Sequence, residues 1–104
     1  DLGARVVEVD HAQTPEAHYR LAETLYNRDE SELAVASYSR SLKGWPETRW
    51  AAEATLKLAT SLANIGRNPQ ACAAVAEFNT RYAASSSANA RNRAASIKTR
   101  ARCG

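Results

Sequence analysis

Along nearly the whole of this chain, apolar residues recur three and four positions apart, the spacing of one face of a helix. Leu21, Ala22 and Leu25 make a first such face, with Tyr19 and Tyr26 displaced around the cylinder. Leu33, Ala34, Tyr38 and Leu42 make a second, and Ala54, Leu58, Ala59, Leu62 and Ile65 a third. Ala71, Val75 and Phe78 follow, then Ala90, Ala94, Ile97 and Ala101. The residues between these faces punctuate them. Thr14 can cap, Pro15 suits a first turn and Glu16 meets the positive end of the dipole, so a helix is expected from there to about Asn27. A polar turn, Arg28-Asp29-Glu30, precedes a restart near Ser31, and Lys43-Gly44-Trp45-Pro46 ends that second helix. The third helix is expected to start near Thr48 and turn at Gly66. Asn68-Pro69 then caps and starts the fourth, and Ser85-Ser86-Ser87 caps a last helix from Ala88 to about Arg102.

The pattern also repeats. Glu16-Ala17-x-x-Arg20-Leu21-Ala22-x-Thr24-Leu25-x-Asn27 returns 37 residues later as Glu53-Ala54-x-x-Lys57-Leu58-Ala59-x-Ser61-Leu62-x-Asn64. Ala34 and Ala36 return as Ala71 and Ala73 at the same offset. Fixed-period similarity of this length predicts stacked helix pairs, because one pair cannot bury its own apolar face. Stacks of this kind leave a continuous surface for a partner, so binding is expected before catalysis.

Composition agrees with an all-α fold: alanine is abundant, while glycine and proline number four and three in 104 residues. No stretch approaches the roughly 18 to 20 apolar residues of a membrane span, and no basic-then-apolar signal pattern opens the chain. Its first residue is Asp1 rather than methionine, as expected of a piece cut from a longer polypeptide. The net charge is +3, but all eleven acidic residues lie before position 78 and six basic ones after it. Arg91, Lys98 and Arg102 belong to that basic quarter, which reads either as a solvated helix face or as a contact for an acidic partner. Nucleic acid is the poorest match, since Tyr82 is the sole aromatic there to stack a base.

Candidate chemistry is sparse. Two cysteines and two distant histidines, His11 and His18, do not make a zinc site, and no metal or cofactor is expected. No nucleophile lies near either histidine in sequence, no glycine-rich phosphate loop is present, and Asp29, Glu30 and Glu32 read as a solvated acidic turn. If the fourth and fifth helices pack antiparallel, Cys72 and Cys103 fall at the same end and could form a disulfide. Two buried free thiols, as in a cytosolic protein, are the alternative. Trp45 and Trp50 either pack the seam between the repeats or serve as exposed anchors for a partner.

Leu21-Ala22, Leu25, Ala34, Tyr38, Ser41 and Pro46 stand at the spacing of a tetratricopeptide (TPR) motif. Leu58-Ala59, Leu62, Ala71, Val75, Phe78 and Ala83 repeat it. The chain therefore resembles that repeat class, which implies a right-handed superhelix of antiparallel helix pairs. His18 and Thr55 replace the usual tryptophan and Ala83 the closing proline, all mild departures. The resemblance divides the chain into 1–13, the remainder of a preceding repeat and its loop; 14–47 and 48–84, two repeats; and 85–104, a capping helix. It also places Tyr19, Glu23, Tyr26, Asn27, Thr60 and Asn64 toward a partner-binding groove. Asn27 and Asn64, 37 residues apart, are suited either to bond an extended peptide or merely to end their helices.

Pro46-x-x-x-Trp50-Ala51-x-x-Ala54-x-Leu56-Lys57-Leu58, Gln70-Ala71-Cys72, Arg81-Tyr82 and Cys103 carry a narrower likeness. They resemble the C-terminal repeat domain of the Tol-Pal system YbgF/CpoB family in its alphaproteobacterial form. That likeness implies a periplasmic, non-enzymatic adaptor that binds TolA and couples outer-membrane constriction to peptidoglycan synthesis during division, with a peptidoglycan synthase as a second partner. It further implies no nucleic acid, no membrane insertion, and oligomerisation through an N-terminal coiled coil missing from this chain. A generic repeat scaffold or co-chaperone, and a regulatory domain cut from an enzyme, are the competing expectations.

Overall fold

The computed structural model describes residues 14–43 and 48–103, and among these the chain is all-helical. The segment 1–13 with His11, the Gly44-Trp45-Pro46 stop, and hence the Trp45 anchor, lie outside the described residues. Among the described residues five α-helices run in order: α1 (Pro15–Asn27), α2 (Ser31–Leu42), α3 (Ala51–Asn64), α4 (Asn68–Arg81) and α5 (Ala88–Arg100). A single 3-10 turn, Ala83–Ser85, precedes α5. Each helix packs on its neighbours in sequence; in addition α1 touches α3, and α3 touches α5. Two layers result, with α1, α3 and α5 side by side in one and α2 and α4 in the other.

The caps act largely as the sequence predicts. Thr14 Oγ1 accepts from the Ala17 N–H at 3.1 Å, and Ser87 Oγ accepts from the Ala90 N–H at 3.1 Å. Three helices also end alike. The N–H groups of Glu30, Arg67 and Cys103 bond back to the carbonyls of Leu25, Leu62 and Lys98, with Asp29, Gly66 and Arg102 at φ of 60°, 80° and 59° before them. These left-handed residues are 37 and 36 positions apart, so α5 ends as α1 and α3 do.

Other boundaries differ from expectation. The third helix begins at Ala51 rather than near Thr48, with the Thr48 carbonyl accepting the Ala51 N–H. Asn68 is the first residue of α4 rather than its cap, a place taken by Arg67 without a side-chain bond. The last helix stops at Arg100, because Arg102 turns left-handed.

The apolar stripes are corrected at two places. Leu21 and Leu33 were expected to face inward, yet they are 50% and 55% exposed. The α1–α2 contact is centred one residue further on, at Ala22 and Ala34, both fully buried, which allow the two backbones to approach. A shift of one residue turns a side chain about 100° around the helix. Tyr19, Tyr26 and Leu25 fill the space instead, packed on the buried Tyr38. The helix α3 is buried on two sides, because Leu56 (1% exposed) points into the second cluster with Leu62, Val75, Phe78, Ala94 and Ile97. Leu58 packs against both clusters and joins the two helix pairs.

The expected covalent clip is present. Cys72 on α4 and Cys103 after α5 form a disulfide across 31 residues of sequence. Both cysteines pack against the cluster that holds Ala94, Ile97 and Ala101, and the bond ties the end of α5 to the first turns of α4.

Candidate binding face

The layer formed by α1, α3 and α5 carries one connected row of charge. On α1, Glu23 accepts hydrogen bonds from Tyr19 Oη at 3.2 Å and from Tyr38 Oη of α2. Lys57 of α3 donates to both Glu23 oxygens at 2.8 and 2.9 Å. The same ammonium lies 3.8 Å from Glu53, one turn earlier on α3, and 5.3 Å over the Tyr26 ring. Glu53 in turn receives both guanidinium nitrogens of Arg93 on α5, at 2.9 and 2.8 Å. Alternating signs thus link all three helices, and the two-pronged Arg93–Glu53 contact fixes orientation as well as distance.

Electrostatics holds Glu53, Tyr19 and Tyr38 in their present states. The Arg93 hydrogen bonds hold the Glu53 carboxyl below its ordinary range, against an opposing effect of burial. Burial, then the Glu23 charge, pushes the Tyr19 phenol up to about 12. Burial, followed by its bond to Glu23, raises Tyr38 more strongly. Both phenols are therefore fixed donors at neutral pH.

Beside this row lies a pocket of about 290 Å³ lined by Tyr26, Thr60, Asn89, Asn92, Arg93, Ser96 and Ile97. Two of the six groove residues expected from sequence, Tyr26 and Thr60, are in its wall. Tyr19 and Glu23 lie in the adjoining network. Asn27 is exposed at the end of α1, while Asn64 is engaged elsewhere, donating to Ser31 Oγ at 3.2 Å and accepting from Arg100. Asn27 and Asn64 are thus not a matched pair along one pocket.

Trp50 belongs to the seam: its ring stacks on Tyr19 with centroids 5.1 Å apart and planes 10° from parallel. Within the basic quarter, Arg91 is a turn clamp, donating to the carbonyls of Ala83 and Ser86, whereas Lys98 and Arg102 are exposed. Among the described residues no His, Cys, Asp and Glu side chains group in a way that could hold a metal ion. Nor is any helix there long and apolar enough to cross a membrane.

Sequence reasoning missed the participation of Lys57, Glu53 and Arg93, and the polar stripe Asn89, Asn92, Ser96. A signal for part of it existed, since Glu16–Arg20 and Glu53–Lys57 are the same i, i+4 pair 37 residues apart. In the first unit that pair stays on the surface at 2.8 Å, with Arg20 71% and Glu16 49% exposed.

No protein-family model matches the chain, and a search of curated proteins finds none significantly similar to it.

Proposed function

We infer that this chain is a non-enzymatic protein–protein interaction module, built as a tetratricopeptide-type superhelix, whose working surface is the face of α1, α3 and α5. The observation that carries this reading is the pocket beside the charge row. It is open and assembled from α1, α3 and α5, with exposed amides of α5 along an otherwise largely apolar lining. A face spanning units is suited to an extended segment of a partner, because successive first helices present side chains at a regular interval. The Cys72–Cys103 disulfide supports an oxidising compartment, in keeping with a periplasmic location. With the sequence likeness to the YbgF/CpoB repeat domain, these features favour a TolA-like partner in the Tol-Pal system during cell division.

Titration calorimetry of the chain against TolA from the same organism tests the reading. Asn92→Ala is the variant of choice, since Asn92 is exposed and lies outside both apolar clusters. Wild type is expected to bind, and the variant to bind roughly three- to tenfold more weakly with an unchanged melting temperature. No heat with wild type at ~100 μM, where even a weak adaptor contact registers, would remove TolA as the partner.

A further inference from the structure

We propose that the α1–α3–α5 face selects an extended, uncharged polypeptide segment and excludes acidic ones, a specificity that rests on the binding reading above. Both cations of the charge row are already spent. Arg93 gives two donors to Glu53, and Lys57 is held between Glu23 and Glu53. Two carboxylates and two cations cancel, so the row offers no net charge to a ligand. A carboxylate entering the pocket would have to displace Glu53 from Arg93. A cation would have to displace Lys57 from Glu23. Each exchange breaks a charge-assisted pair that is at least half withdrawn from solvent, with side-chain exposures of 37% and 36% for Arg93–Glu53 and 19% and 27% for Lys57–Glu23.

The groups left to a ligand are neutral. Asn89, Asn92 and Ser96 lie at i, i+3 and i+7 on α5, all exposed and all lining the pocket. Each asparagine amide offers two donors and one acceptor, and the serine hydroxyl both donates and accepts. Thr60 Oγ1 gives its proton to the Leu56 carbonyl at 3.0 Å and so faces the pocket as an acceptor. From Asn89 to Ser96 the stripe is about 10 Å long at the rise of an α-helix. An extended strand covers that distance in about three residues. Amides spaced in this way match the alternating N–H and C=O groups of an extended backbone, and Tyr26 with Ile97 offers the apolar lining that a side chain of such a segment would cover.

Two capped hexapeptides separate this selectivity from the binding reading itself: alternating valine and asparagine, and its isostere with aspartate in place of asparagine. Each is titrated into the isotopically labelled 104-residue chain and followed by NMR. The asparagine peptide is expected to shift Asn89, Asn92 and Ser96, with the aspartate peptide at least roughly tenfold weaker at equal ionic strength. Glu53→Gln, which frees Arg93, is expected to recover most of that factor for the aspartate peptide alone. Equal or tighter binding of the aspartate peptide by wild type at the same residues contradicts the selectivity and leaves the face standing as a binding site. Absence of shifts at those residues with both peptides at millimolar concentration contradicts both.

Discussion

The two helix pairs of this molecule are copies of one sequence pattern, yet they are stabilised very differently. In α3–α4, Leu58 is packed between two apolar clusters, the turn residue is Gly66, and α5 covers the far side under a disulfide. In α1–α2 the matching residues are Leu21, half exposed, and Asp29, which adopts the same left-handed turn without the freedom of glycine. The lesson is that a repeat's residue type fixes its helix, while its burial is set by the unit stacked beside it.

The largest expected break in this asymmetry is loss of the disulfide. Cys103→Ser removes a clip closing 31 residues of separation, for an expected cost of about 3 to 4 kcal/mol. Denaturant unfolding should show the loss, with α5 leaving first. Next, Leu58→Asp puts a charge into the joint between the pairs and should cost about 2 to 4 kcal/mol, whereas Leu21→Asp at the equivalent position should cost less than about 0.5 kcal/mol. Equal melting temperatures for those two variants would mean that the pairs are not stacked as described.

Turn substitutions should move stability less, and in opposite directions. No atom would obstruct a methyl group at Gly66, so the cost of Gly66→Ala, about 1 kcal/mol, is that of φ +80° alone. Asp29→Gly relieves the same strain in the weaker pair and should stabilise by about 0.5 kcal/mol or more. The smallest effect is acid sensitivity. Glu53 has its folded-state pKa lowered from the ordinary 4.5. The stability it contributes is complete above that value and is lost as pH falls through the lower, folded one. Glu53→Gln should therefore flatten the dependence of melting temperature on pH below about pH 5.

Much of this arrangement was legible in the chain. The order of the helices, the Thr14 and Ser87 caps and the Gly66 turn follow from local rules of capping and φ, while the Cys72–Cys103 disulfide, one of two alternatives in the sequence, rested on antiparallel packing of the last two helices. Leu21 and Leu33 were misplaced because periodicity defines a stripe only to within one residue, and the close approach at Ala22 and Ala34 decided which side it took. Leu56 was missed because a single apolar face was sought on a helix that is buried on two. The charge row was the least legible part. Its links run from Glu23 to Lys57, 34 residues apart, and from Glu53 to Arg93, 40 apart, and neither separation is the repeat period. Only stacking brings those side chains together.

Hydrogen exchange of the chain with and without its partner tests the shared face most directly. The account predicts that binding slows exchange in α1, α3 and α5 together, most of all around Asn89 to Ser96, and leaves the α2 and α4 amides unchanged. Protection confined to α2 and α4, or to the exposed basic end at Lys98 and Arg102, would contradict it.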